Sequence, residues 1–274
     1  MARSQTKDSQ LPPDTNNGHV RSSEAEDPSA SPLLRGLSIL EAFVGEDESL
    51  SVGDLSRKLG LHKSTVSRFA GMLESAGYLA KAEGHGRYKL GTRLASLSAR
   101  ASSPTDVREV ARPALIDLRD ECGETVHLGV REGTEVVTID FVEGTHTIRM
   151  HTTIGKRSPV HCSAMGKAIL ALLPPEEVTA LQRVVKLTAF TPATRMSWGS
   201  VIEDLTATRE RGYSIDEQEL LVGLSCIGAP IVNRDGVPIA AISVSGPSER
   251  VAATGRDWLA ARVKHAAETI SGRL

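Results

Sequence analysis

Several groups of side chains in this sequence could do chemistry, and their spacing sorts them. His161 and Cys162, with Lys167 and His127 elsewhere in the chain, have the residue types of a thiol nucleophile and its base. Adjacent residues in an extended segment point to opposite sides, so His161 cannot serve Cys162 there. Ser163 and Lys167 stand four apart, not the three of a Ser-x-x-Lys pair. Gly166-Lys167-Ala168 lacks both the leading glycine and the Ser/Thr of a phosphate loop. His146, His151, His161 and Cys162 read as solvated or core residues rather than a metal set. Cys122, Cys162 and Cys226 are odd in number and widely separated, which is neither a disulfide framework nor a zinc finger. No catalytic residue, metal or cofactor is expected.

A different chemistry is written in LSVGDLSRKLGLHKSTVSRFAGMLESAGYLAK, residues 50–81. Lys63, Ser64, Thr65, Ser67 and Arg68 crowd the start and outer face of one predicted helix. Hydroxyls and a positive helix end suit phosphate oxygens, and Lys or Arg can donate to guanine O6 and N7 in a major groove. Between Leu55 and Ala70 there are four Lys/Arg and no carboxylate. A third group lies near the end of the chain. Ser243 and Ser245 are two apart on a predicted strand, so both hydroxyls face one side.

The elements that must position the basic group follow from periodicity. Val52, Leu55 and Leu59 make one face of a short helix, Gly60 suits the left-handed turn that ends it, and Leu61 plugs the corner. Val66, Phe69 and Leu73 repeat the spacing, which describes a helix-turn-helix. An amphipathic helix precedes it through Leu33, Leu37, Leu40 and Phe43. A β-hairpin follows, Tyr78–Ala82 and Arg87–Leu90 around Glu83-Gly84-His85-Gly86; that is a wing, with Arg87 expected at the DNA backbone.

Composition agrees. Residues 1–31 carry three Lys/Arg against five Asp/Glu, residues 32–100 ten against seven, and residues 101–274 nineteen against twenty-two. Positive charge is therefore concentrated on the segment that would meet phosphate. Aromatics are 3% of the chain, which disfavours recognition of single strands by stacking. No stretch approaches the roughly 20 apolar residues of a membrane span, so a cytoplasmic protein without a membrane partner is expected. The expected organisation is a disordered tail (1–31), a winged helix-turn-helix (32–93), a linker helix (94–112) and an α+β domain (113–274). In the last, strands are read over 125–130, 136–142 and 147–153. A helix is read over 163–173, then a hairpin through Asn233-Arg234-Asp235-Gly236 and a closing helix.

From Pro32 onward the sequence resembles the IclR family of bacterial regulators. The likeness rests on RGLSILEAF, the 50–79 segment and GRYKLG, then on IGKRSPVHCSAMGKAILA, RERGYSIDEQELLVGLSCIGAPI and GVPIAAISVSGP. Gly228 stands where alanine is commoner. The resemblance implies a GAF-like effector domain with a curved antiparallel sheet, and a homodimer or homotetramer on a near-palindromic double-stranded operator. It also implies an effector pocket using Ala164, Met165, Asp216, Leu224, Cys226, Ser243 and Ser245, with Thr147 and Met150 on the third strand as walls. Ser163-Ala164-Met165 replaces a common Ser-Gly-Ala, which reshapes that side. Helix-start amides near Ala164 would receive a carboxylate, so a small organic acid is expected as effector, and Asp216 would face a hydroxyl, an amine or a protonated group.

Overall fold

The computed structural model describes residues 31–44, 47–83, 86–101 and 107–274. The expected disordered tail therefore lies, up to residue 30, outside the described residues, as do Gly84 and His85 of the wing tip. In the N-terminal part, α1 (Pro32–Glu41) begins with proline in its first turn, where the missing N–H costs nothing. β1 (Leu50–Ser51) leads directly into α2 (Val52–Leu59). Ser51 and Asp54 close a reciprocal capping box at the start of α2, each backbone N–H meeting the other's side chain at 3.1 Å. Gly60 ends the helix at φ 65°. α3 (Lys63–Ser75) and the hairpin of β2 (Leu79–Lys81) and β3 (Arg87–Leu90) complete a winged helix-turn-helix around buried Ile39, Leu55, Val66, Phe69 and Leu79. β1 pairs with β3, Ser51 opposite Arg87, making the wing three-stranded. Two residues of β1 are too short a run to leave a periodic signal.

The helix expected over 94–112 is two elements: α4 (Thr92–Ala101), and α5 (Val107–Cys122), which runs on through Pro113. The proline removes one internal hydrogen bond, but Ala111, Ala114, Leu115 and Leu118 form one continuous buried stripe across it. Packing outweighs the local break. The rest of the chain builds a six-stranded antiparallel sheet in the order β6-β5-β4-β9-β8-β7. Its strands are β4 (Thr125–Glu132), β5 (Glu135–Val142), β6 (Arg157–Pro159), β7 (Ser214–Glu217), β8 (Leu224–Val232) and β9 (Pro238–Pro247). Alternation divides the sheet cleanly. Val126, Leu128, Ile227, Ala229, Ile242 and Val244 face α5 and the C-terminal α10 (Arg256–Ser271), which is preceded by the short α9 (Ser248–Thr254).

The opposite face carries α6 (Ala164–Leu172), α7 (Pro175–Val184) and α8 (Trp198–Arg211). α6 sits close on β8 because Gly228 has no side chain: a Cβ there would stand 2.9 Å from the Ala164 carbonyl carbon and oxygen. The expected strand over 147–153 does not form. Its backbone carbonyls are taken by side chains instead: Thr125 Oγ1 donates to Met150 O at 2.9 Å, and Arg250 to Ile148 O at 2.8 Å. The third strand of the hairpin series is β6, at the sheet edge.

Lys167, fully buried in α6, fastens this face together. Its ammonium donates to Ile215 O and Glu219 and lies 2.8 Å from Asp204 Oδ2 of α8. Removing one partner of a buried ion pair strands the others. Lys167→Met is therefore expected to lower stability by about 3–5 kcal/mol, read from the urea midpoint of full-length protein. A change below about 1 kcal/mol would mean that Arg195 and Arg211 neutralise the site without it.

Candidate functional site

The first candidate surface is on α3. Val66, Phe69 and Ala70 are buried, while Lys63, Ser64, Ser67 and Arg68 are exposed and Thr65 half-buried. Lys63 and Ser67, and Ser64 and Arg68, are each one turn apart and so form a single stripe. No acidic residue occupies the first turn of α3, and His62 leaves that end without a side-chain cap. Its free amides point outward beside the cations. Arg68 also lies over the Phe69 ring at 5.0 Å, which steadies it. The structure gives Arg87 partners within the reader itself. Its guanidinium donates to Ser49 Oγ at 2.9 Å and Ser49 O at 2.5 Å, and approaches Asp54 Oδ2 at 3.5 Å. It clamps β1 and the α2 cap to the wing, and Lys89, two residues on, is the exposed cation of that strand. The β1–β3 pairing that commits Arg87 is invisible in the sequence.

The second candidate is a cavity under the start of α6. Of the nine expected pocket residues, Met150, Ala164, Met165, Asp216, Leu224, Cys226, Ser243 and Ser245 line it. Thr147 does not; it is exposed in the 145–148 loop because the strand that would have turned it inward is absent. Strand register explains the convergence. Asp216 on β7 is opposite Cys226, and Cys226 is opposite Ser245; in the next row Gly228 is opposite Ser243, which is opposite His127 on β4. Ser163 Oγ accepts from Gly166 N–H at 3.3 Å, capping α6 and leaving its earlier amides without an intrahelical partner. Met165 fits because Gly129 lies beneath it; a Cβ there would stand 2.9 Å from its Sδ.

Burial sets the electrostatics of the cavity. It pushes the Asp216 carboxyl up to about 6, partly opposed by the Glu219 amide, which donates to Oδ1 at 2.7 Å, and by Lys167. Burial, reinforced by the nearby Lys156 charge, pulls His127 down to about 4, so its ring is neutral at physiological pH. Its Nε2 is buried and, among the described residues, has no hydrogen-bond partner. His127, Lys156 and Thr138 are wall residues that periodicity did not single out. The sequence signal for the first is its spacing: His127 lies two residues from Thr125 on a predicted strand, so the two share a face.

The thiol readings end here. Cys162 is fully buried, and that burial pushes its thiol up to about 12. His161 is held by burial below its ordinary value, with Nε2 3.4 Å from Thr188 O. Neither can supply a thiolate and base. Among the described residues no cluster of three His, Cys, Asp or Glu is placed to hold a metal, and no helix is long and apolar enough to cross a membrane.

Comparison with known proteins identifies both parts of the chain. Residues 32–83 match the family model described as the IclR helix-turn-helix domain, and residues 99–272 match that of the bacterial transcriptional regulator IclR C-terminal region. The chain is 36% identical over 217 residues to the HTH-type transcriptional regulator XynR of Escherichia coli (strain K12), covering 79% of this chain and 86% of that one. It is also 36% identical over 221 residues to the transcriptional repressor IclR of the same organism, covering 80% and 81%. A solved IclR homolog from Microbacterium hydrocarbonoxydans, complexed with 4-hydroxybenzoate, superposes with a TM-score of 0.75 at 25% identity. It covers 88% of this chain and 98% of its own.

The His127 environment makes a stability prediction. Unfolded, the ring binds a proton near 6.5; folded, only near 4. Between these values the unfolded state holds more protons, so this residue's contribution falls as pH drops from 6.5 towards 4, by about 3 kcal/mol in all. Asp216 acts in the opposite sense between 3.8 and about 6, since its folded form is the one that binds the proton more tightly. The wild-type protein and His127→Gln share Asp216, so their difference isolates the histidine. Urea midpoints should show the variant losing less stability than wild type between pH 7 and 4.5; parallel loss would place the acid-sensitive group elsewhere.

Proposed function

The chain belongs to the IclR family of DNA-binding transcription regulators, and from that premise we propose that it binds a near-palindromic operator as a homodimer or homotetramer and responds to a small organic acid. The observation that carries this reading is the combination, in one chain, of an exposed hydroxyl-and-cation stripe on α3 with a buried polar-faced cavity beneath the α6 N-terminus. Lys63, Ser64, Thr65, Ser67 and Arg68 meet DNA, with Lys63 and Arg68 the candidates for base edges. Ala164, Met165, Asp216, Leu224, Cys226, Ser243 and Ser245 meet the effector, Met150 closing one wall. A mix of few polar groups and apolar sides orients a small acid and excludes water. The homolog bound to 4-hydroxybenzoate supports a small carboxylate as the class of ligand. One reader with an excess of three positive charges makes few phosphate contacts, and pairing raises the effective concentration of the second head. The site of action is the cytoplasm, where the operator is.

Lys63→Ala and Arg68→Ala should each weaken operator binding, measured by fluorescence anisotropy across salt concentrations. A base contact costs about 1–3 kcal/mol and relaxes specificity at one position, whereas a phosphate contact weakens all sequences alike and flattens the salt slope. Unchanged affinity in the folded double variant would remove α3 from the interface. In the sensor, Ser243→Ala with Ser245→Ala should cost an effector up to a few kcal/mol, each neutral hydrogen bond contributing about 0.5–1.5. Operator affinity without effector should hold. Wild-type effector affinity by calorimetry would mean that the effector binds elsewhere.

A further inference from the structure

The cavity beneath α6 has more to it than its serines. Its volume is ≈ 50 Å³, room for a handful of non-hydrogen atoms and far below the about 300–1,000 Å³ of sites for drug-sized ligands. Into this small space the sheet brings groups from both of its edges: Asp216 from β7, and Lys156, whose carbonyl accepts from Thr138 N–H at 2.9 Å, from the start of β6. Five strand intervals of about 4.8 Å would hold those edges far apart if the sheet were flat. Its curl folds one edge towards the other, and Cys226 feels the charge of both Asp216 and Lys156. Among the described residues the Lys156 ammonium makes no ion pair or hydrogen bond. His127 Nε2, on a side chain more than nine-tenths buried in the same wall, has no partner either. A buried polar ring left unsatisfied is costly unless something completes it, and the half-buried Lys156 brings a cation to the same cavity.

We propose that Lys156 and His127 form the anion-recognising end of this cavity, and that the ligand is a small aliphatic hydroxy acid of glycolate or lactate size, its carboxylate on Lys156 and its hydroxyl donating to Asp216. This rests on the reading of the cavity as the effector site and narrows it. Asp216 Oδ1 is taken by the Glu219 and Leu220 amides, and its other oxygen accepts nothing from the described residues. A ligand carrying only acceptors would meet that carboxylate oxygen to oxygen. A hydroxyl supplies the missing proton. An ammonium would also supply one, but Lys167 already faces Asp216, and a second cation would sit between Lys167 and Lys156. An aromatic acid needs more room than a volume of ≈ 50 Å³ leaves.

The test is calorimetry of the full-length protein with glycolate, lactate, alanine, propionate and 4-hydroxybenzoate. Glycolate or lactate should bind more tightly than the other three. Lys156→Met should weaken that binding about ten- to hundredfold, the span of a charge-assisted hydrogen bond. Its melting temperature should hold, because the ammonium has no internal partner to lose. His127→Gln should weaken binding less and leave the preference for a hydroxyl. Preference for alanine, propionate or 4-hydroxybenzoate, no response to either hydroxy acid, or unchanged affinity in folded Lys156→Met would each overturn the proposal. If another of these acids binds and the Ser243→Ala/Ser245→Ala protein loses it, the effector reading stands and only the hydroxy-acid assignment falls. If that serine variant keeps full affinity for whatever binds, the effector reading falls as well.

Discussion

A lysine ammonium with no access to water is the constraint around which the sensor half of this protein is arranged. Burying such a charge is costly unless opposite charges and carbonyl oxygens surround it. For Lys167 they come from three separate segments: Asp204 on α8, Ile215 on β7, and Glu219 in the turn that follows β7. Arg195 and Arg211 complete the network at 3.2 Å from Glu219 and 3.5 Å from Asp204. These contacts hold α6 with its N-terminus over the sheet. They also fix the turn whose Glu219 and Leu220 amides engage Asp216. The position of the helix start and the environment of the aspartate are thus consequences of one ion network.

The sheet supplies the other half of the arrangement. One face is apolar and carries α5 and α10; the other is polar along β7, β8, β9 and β4, and α6 spans it only because Gly228 permits close approach. A polar sheet face under a helix is stable only if its groups are paired or kept in a hydrated or ligand-filled space. Asp216 and His127 are therefore held in a low-dielectric site, where the nearby Lys156 charge adds to the effect of burial on the histidine. A ligand that satisfies them can influence the reader only by favouring one arrangement of the chain over another. The elements that join sensor and reader along the sequence are α4 and α5, and α5 is packed directly on β4 and β5.

Much of this was legible in the residues, and the pattern of successes has a physical cause. The helix-turn-helix follows from signals within a few residues of one another: the left-handed Gly60, the corner Leu61, and apolar stripes at helical spacing. The Asp-Gly hairpin between β8 and β9 and the Ser163-capped α6 are equally local, and the ordered family segments carried the identity of both halves. The failures are non-local. Residues 147–153 have strand-forming side chains, yet Thr125 and Arg250 take their carbonyls, so Thr147 stays outside the cavity. Arg87 is basic and on the wing, as read, but its hydrogen bonds to Ser49, 38 residues earlier in the chain, follow from a strand pairing that leaves no local signal.

What the sequence by itself determined is the set of elements, the family, and the residue types each element offers to DNA or to a ligand. Those depend on backbone preferences and on periodicities of a few residues. Which side chains share a cavity was decided by the register and curl of six strands, and by the ion network that seats α6 upon them. His127, 29 residues from Lys156 and 89 from Asp216 in the chain, meets both only there. No local pattern encodes that meeting, because the free energy that brings them together belongs to the packed sheet and not to any one segment.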